Sequence, residues 1–315
     1  MVQNETFFES HDRTKLFLYR WLPQAKPRAV VHIVHGMAEH ALRYKRLAER
    51  FTGAGIEVWA ADQRGHGRTA DINVNKPSKG GLLGHCSDGY SFLNVTKDIY
   101  SLNKEIRKTT DVPVFLLGHS WGSIITRFYM EEYSVDPLVN GYILSGTMGL
   151  ADIKMKAGLP FLVILALLMG QRSRSSFVKN MGDGQYNKPF MSNRTEFDWL
   201  SRDTEEVDKY IFDPLCGNLC SIGFYRDITR TMVRINRNDK MEKINRSLPV
   251  YVFSGSADPV GGMGAGPTKL VNAFHKFKIK DIEFVLYPGA RHELLNETNR
   301  EEVMDNLLSW IDKRC

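Results

Sequence analysis

The stretch Val114-Phe115-Leu116-Leu117-Gly118-His119-Ser120-Trp121-Gly122 decides the architecture. Four apolar residues run as a strand into a Gly-x-Ser-x-Gly turn, and the helix-period segment Ser120–Tyr133 follows. A serine on so tight a strand-to-helix turn is held in strained backbone geometry, so small residues must flank it. The helix N-terminus beneath it favours negative charge developing above. The pentapeptide alone is a weak signal; between a strand and a helix it marks Ser120 as a nucleophile.

Working outward, the same alternation repeats. Ala29–Val34, Ile56–Ala60, Gly141–Leu144, Val250–Phe253 and Ile282–Leu286 read as strands, and Ala41–Thr52, Asp88–Arg107, Thr268–Phe277 and Arg300–Lys313 as helices. Near-continuous apolar strands alternating with helices predict a parallel sheet covered on both faces. At the start, Thr6–Phe8 and Lys15–Trp21 flank the turn Ser10-His11-Asp12-Arg13 and read as an antiparallel hairpin. From about Met148 to Asn245 the strand rhythm breaks, which predicts a lid or an inserted domain.

A serine hydroxyl attacks only when a base takes its proton, and that base needs an orienting carboxylate. Both follow later strands, Asp258 in Ser256-Ala257-Asp258-Pro259 and His292 in Gly289-Ala290-Arg291-His292. An oxyanion hole needs two backbone N–H groups. Trp121, next after the nucleophile, supplies one, and Met37 in His35-Gly36-Met37-Ala38-Glu39-His40 the other; Gly36 permits close backbone approach. His35 and His40 are read as shaping this loop by hydrogen bonds. Asp62 and Arg64 are read as an ion pair or turn cap. Glu39 lies near the site or merely in its loop, and Glu293 is read as a loop carboxylate. Cys216 and Cys220 have no partner Cys/His pair in the sequence, so packing in the insertion is expected, with no metal.

The His35–His40 loop, Asp62-Gln63-Arg64-Gly65-His66-Gly67-Arg68-Thr69, the Gly118–Gly122 turn and the loops of Asp258 and His292 together resemble the monoacylglycerol lipase and lysophospholipase branch of the α/β-hydrolases. The likeness runs from about Phe7 to Ile311 and includes Ser201-Arg202-Asp203, Glu206-Val207-Asp208-Lys209-Tyr210 and Asp213-Pro214-Leu215 of the insertion. It departs at Ser123, where many members carry a second glycine, and at Trp121, often methionine. The resemblance implies an α/β-hydrolase fold: a mostly parallel eight-stranded sheet with helices on both faces and a mainly helical cap. Residues 1–147 and 246–315 form the core in this reading, and 148–245 the cap. It also implies a serine esterase acting through an acyl-enzyme on a small lipid ester, a monoacylglycerol or lysophospholipid, with no metal or organic cofactor. An aminopeptidase, or a general carboxylesterase or thioesterase, of the same fold is the rival. Dehalogenases and epoxide hydrolases of this fold need a carboxylate nucleophile, which Ser120 excludes. A non-catalytic receptor would be expected to lack one of Ser120, Asp258 and His292.

A lipid acyl chain needs apolar cover, about 0.8 kcal/mol per buried CH₂. Gly158–Met169 is apolar on every face and is the candidate, with Leu162 and Leu165 as substrate contacts. Either the run is buried between cap and core, or one face lines the acyl tunnel while another meets lipid. Between Asp152 and Lys179 five cations stand against one carboxylate, which suits transient contact with an anionic membrane surface or simply a solvated loop.

The remaining composition sets bounds. With 43% hydrophobic and 25% charged residues, the 315-residue chain is globular rather than disordered or coiled-coil. A net charge of +6 is too dilute to argue for a nucleic-acid partner. Four scattered cysteines fit free thiols in a reducing, cytoplasmic setting, with peripheral membrane contact through the cap. The N-terminal stretch reads as no signal peptide, and no apolar run reaches the roughly 20 residues a membrane span needs.

Overall fold

In the computed structural model, which describes residues 1–190 and 192–315, the chain starts with β1 (Val2–Glu9) and β2 (Lys15–Leu22), paired antiparallel from Val2↔Leu22 to Glu9↔Lys15. It continues through β3 (Ala29–Val34), α1 (Lys45–Gly53), β4 (Ile56–Ala61), α2 (Gly67–Ile72), α3 (Ser91–Thr109), β5 (Val114–His119), α4 (Trp121–Glu132) and β6 (Gly141–Ser145). Five helices intervene: α5 (Ile153–Met169), α6 (Ser176–Met181), α7 (Thr204–Phe212), α8 (Ile222–Ile235) and α9 (Asn238–Met241). Then come β7 (Val250–Gly255), α10 (Ala265–Lys276), β8 (Ile282–Tyr287) and α11 (Arg300–Asp312).

Among the described residues the eight strands form one sheet in the order β1-β2-β4-β3-β5-β6-β7-β8. β2 runs antiparallel to both neighbours, and every pairing from β4 to β8 is parallel. The central strands β3 to β7 are buried at every position, because helices cover both faces. Their alternating side chains feed two cores. Val30, Val34, Val114 and Leu116 join Val95 and Ile99 of α3 and Ile124 and Phe128 of α4. Val31, Ile33, Phe115 and Leu117 join Phe51 of α1 and Leu307 and Trp310 of α11 on the other face.

Three helix starts differ from the expectation by three residues or more: α10 begins at Ala265 rather than Thr268, and in the other two a distant carboxylate sets the first turn. Ala41–Tyr44 forms a separate 3₁₀ turn before α1, its Ala41 N–H donating to Asp62 at 2.8 Å. α3 begins at Ser91 rather than Asp88, where Asp227 of α8 accepts the Ser91 N–H at 2.8 Å. In the insertion, Asp152 caps α5 by accepting the Met155 N–H at 2.8 Å, and the helix runs on through Pro160. Only Leu162 and Ala166 of α5 are buried, whereas Phe161, Ile164, Leu167 and Leu168 are exposed. No described helix is long and apolar enough to cross a membrane.

Candidate active site

The turn between β5 and α4 carries Ser120 at φ 53°, ψ −118°, a conformation that L-residues rarely adopt. The turn is held by its Ser120 N–H, which donates to Ser145 O of the neighbouring strand at 2.9 Å. Both flanking glycines are sterically required. A methyl at Gly118 would come within 2.3 Å of Thr126 Oγ1, and one at Gly122 within 2.1 Å of the Val34 carbonyl oxygen.

Asp258 and His292 occupy the loops after β7 and β8. His292 Nδ1 lies 3.0 Å from both Asp258 carboxylate oxygens, and both side chains are buried. The imidazole packs between the rings of His119 (4.8 Å between centroids) and Trp199 (5.1 Å). Burial disfavours its charged form. The attraction and hydrogen bond of Asp258, with the nearby Glu293 and Glu39, outweigh that and raise its pKa above the ordinary value. His119 goes the other way: burial and the adjacent His292 push it down to about 4.

A cavity of about 820 Å³ unites most of the sequence candidates: Gly36, Met37, Ser120, Trp121, Leu162 and His292 all line it. Asp258 lies behind His292, outside the wall. Leu165, expected beside Leu162, packs half-buried against the main core and is not among the lining residues. Met155, Phe177, Tyr225 and Ile228 from the insertion make the wall mostly apolar.

The loop after β3 is braced by several hydrogen bonds. His35 accepts the Gln63 N–H at Nε2 (2.8 Å), and its Nδ1 lies 2.8 Å from Gly36 O; burial, with His66 nearby, holds the ring well below its usual pKa. His40 bonds Asp213 at 2.8 Å. From the insertion, Tyr210 OH and the Gly217 N–H both donate to Ala38 O, at 3.0 and 2.9 Å. Glu39 and Glu293 both line the cavity, and Arg43 donates to both. Arg43 and Trp199 were not singled out in the sequence, and Tyr210 only as part of the insertion's motif. Arg43 stands four residues after Glu39, a local signal for that ion pair, whereas its second partner Glu293 lies on a distant loop. Asp62 is a turn cap, accepting the Ala41 and Arg68 N–H groups at 2.8 Å each, while Arg64 pairs with Asp12 and Asp98.

Among the described residues, two groups of side chains come close enough to suggest metal ligation. His40, Asp213 and Cys216 offer donor atoms within 4.8 Å of one another, so Cys216 does have metal-type neighbours that its sequence spacing hid. In the group His11, Asp12 and Asp98, Arg64 already occupies both carboxylates. Neither group lines the cavity that holds Ser120.

This sheet, with a serine on the strand-to-helix turn and an Asp–His pair on later loops, is an α/β-hydrolase fold. Residues 25–299 match the family model described as serine aminopeptidase, S33, and the chain belongs to that family. It is 30% identical to the monoacylglycerol lipase of Mycolicibacterium smegmatis, over 92% of this chain and 90% of that protein. It is 28% identical to the monoglyceride lipase of Mus musculus, over 96% and 88%. A highly thermostable carboxyl esterase from Bacillus coagulans, solved in complex with glycerol, superposes with a TM-score of 0.89 at 29% identity, covering 99% of each chain. By class the protein is a carboxylic-ester hydrolase.

Proposed function

We propose that the enzyme hydrolyses single-chain glycerolipid esters, monoacylglycerols or lysophospholipids, with Ser120 as nucleophile, His292 as base and Asp258 as its orienting carboxylate. The observation that carries this reading is the mostly apolar cavity running from Ser120 to Leu162 and Met155 of α5. Such a space suits one acyl chain with its ester at the serine. The names of the relatives support the same substrate class.

In this mechanism Ser120 Oγ attacks the ester carbonyl carbon and its proton passes to His292 Nε2. The carbonyl oxygen becomes an oxyanion facing the N–H groups of Met37 and Trp121. His292 returns the proton to the departing glycerol oxygen, leaving an acyl-serine. Water then attacks, deprotonated by His292, and releases the fatty acid and free Ser120. Asp258 at 3.0 Å fixes the Nδ1–H tautomer throughout.

An aminopeptidase would need a free carboxylate to hold the substrate ammonium. Among the described residues, three carboxylates line the cavity, and each is engaged: Glu39 and Glu293 by Arg43, and Asp183 by Tyr225 OH at 3.0 Å. That favours the lipid reading. The exposed apolar face of α5, bordered by Lys154, Lys156, Arg172 and Arg174, further supports seating of the insertion on an anionic lipid surface. In this reading 148–245 is a cap that both covers the acyl chain and meets the membrane.

The test is parallel rate measurement on a short p-nitrophenyl ester, a monoacylglycerol, a lysophosphatidylcholine, a triacylglycerol and an aminoacyl-naphthylamide, with Ser120→Ala as control. Turnover of a single-chain lipid that vanishes in Ser120→Ala is expected. Cleavage of the amide with both single-chain lipids untouched would sink the proposal.

A further inference from the structure

Resting on that reading, we infer that Arg43 is a positioning residue, which locks the loop carrying the Met37 N–H to the loop carrying His292. The two loops lie far apart in the chain, and Arg43 joins them through side chains that water barely reaches. Its guanidinium donates through one nitrogen to Glu39 (2.7 Å) and Glu293 (2.6 Å), and through the other to the second oxygen of Glu293 (2.7 Å). Side-chain exposure is 11% for Arg43, 5% for Glu39 and 6% for Glu293.

The lock extends to the reacting centre at both ends. The remaining oxygen of Glu39 accepts the Gly36 N–H at 2.5 Å and the Tyr44 hydroxyl at 2.8 Å, fixing the residue just before Met37. A methyl on Gly36 would lie 3.3 Å from Ser120 Cβ, so this backbone is already against the nucleophile. At the other end, Glu293 directly follows His292, and its own N–H is held by Leu200 O at 2.7 Å. Tyr210 of the insertion lays its ring on the guanidinium, 4.9 Å from the centroid. The planar fork is what allows one side chain to hold two carboxylates in fixed directions; an ammonium supplies the charge without the geometry.

Arg43 has a second, electrostatic consequence. His292 is faced by Asp258, Glu293 and Glu39, with His119 in ring contact and Arg43 the cation between the two glutamates. Removing that cation leaves both glutamates uncompensated beside the base, so His292 holds its proton to higher pH.

The inference is tested with Arg43→Met, Arg43→Lys and, as control, Arg50→Met, which breaks an exposed ion pair with Asp305 of α11. kcat, KM and the pH profile on the p-nitrophenyl ester are read for each, with circular dichroism to establish the folded fraction. Expected for Arg43→Met is a kcat loss on the order of 100-fold with KM nearly unchanged, and an acid limb displaced to higher pH. Arg43→Lys should return the acid limb towards that of the unmodified enzyme while kcat stays low, and Arg50→Met should alter neither. If Arg43→Met loses activity only in proportion to its unfolded fraction, with the limb unmoved, the inference fails. Should Arg43→Met not fold, a folded Arg43→Lys with full kcat overturns the inference, and one with low kcat upholds it. A Ser120→Ala variant that stays active defeats the proposed function instead, whatever the Arg43 variants do.

Discussion

At Gly122 a single added methyl has no room, since its contact is a backbone oxygen of β3 that cannot swing aside. Gly122→Ala is expected to cost about 3 kcal/mol or more, from overpacking in a rigid region. The check is a denaturant midpoint, which should fall together with activity because the displaced atoms are those that set Ser120. The pH dependence of the reaction also belongs to single residues. In the proposed mechanism a protonated His292 cannot accept the serine proton, so the rate should fall as pH drops through a value above the usual 6.5 of histidine. Asp258→Asn removes the hydrogen-bonded carboxylate that helps raise that value. The acid limb should then move to lower pH and kcat drop on the order of 10⁴-fold, as the imidazole loses its tautomer. A kcat–pH series on the p-nitrophenyl ester reads both.

Elements show which features were legible beforehand. The strands and their parallel order follow from apolar runs of near-constant length, because a sheet covered on both faces tolerates little else. The strand ends then place Ser120, Asp258 and His292 at one edge of the sheet. Helix starts were less legible. Asp62 and Asp227 set the first turns near Ala41 and Ser91 from far along the chain, and no local pattern encodes a cap supplied by another element. The Arg43–Glu293 half of that residue's bonding escaped for the same reason, with Glu293 found only once β8 is folded beside β7. Nor could the apolar run in α5 reveal which side would be covered, since it is apolar all round; the packing of α8 against it decides that Leu162 is buried and Leu167 exposed. If the exposed face meets lipid, the double variant Leu167→Ser/Leu168→Ser should weaken binding to phosphatidylcholine–phosphatidylglycerol vesicles at least tenfold. Rates on a water-soluble p-nitrophenyl ester should be nearly unchanged. Sedimentation with vesicles measures the first, and equal binding by the variant would refute lipid seating of α5.

The molecule as a whole carries several histidines that folding keeps uncharged. Burial is the leading cause in each, pushing His32, His66 and His119 down to about 4. An unfolded chain would protonate these rings below about pH 6.5 while the folded one does not, so their contribution to stability is complete above that pH. It is lost as pH falls towards 4, on the order of 3 kcal/mol per ring. Thermal unfolding at pH 7.5, 6 and 5 should show a midpoint falling steadily with acidity, and a flat midpoint would contradict this. The placement of the insertion between β6 and β7 matters in another way, for synthesis on the ribosome. Ser120 and the loop of Met37 emerge first, then all five intervening helices, and only afterwards the strands that bring Asp258 and His292. A nascent chain therefore holds a strained serine with no base to ionise it, and β6 waits as an open apolar edge for β7. On the proposed mechanism hydrolysis starts only after that edge has closed, so the chemistry itself would report that the sheet is complete.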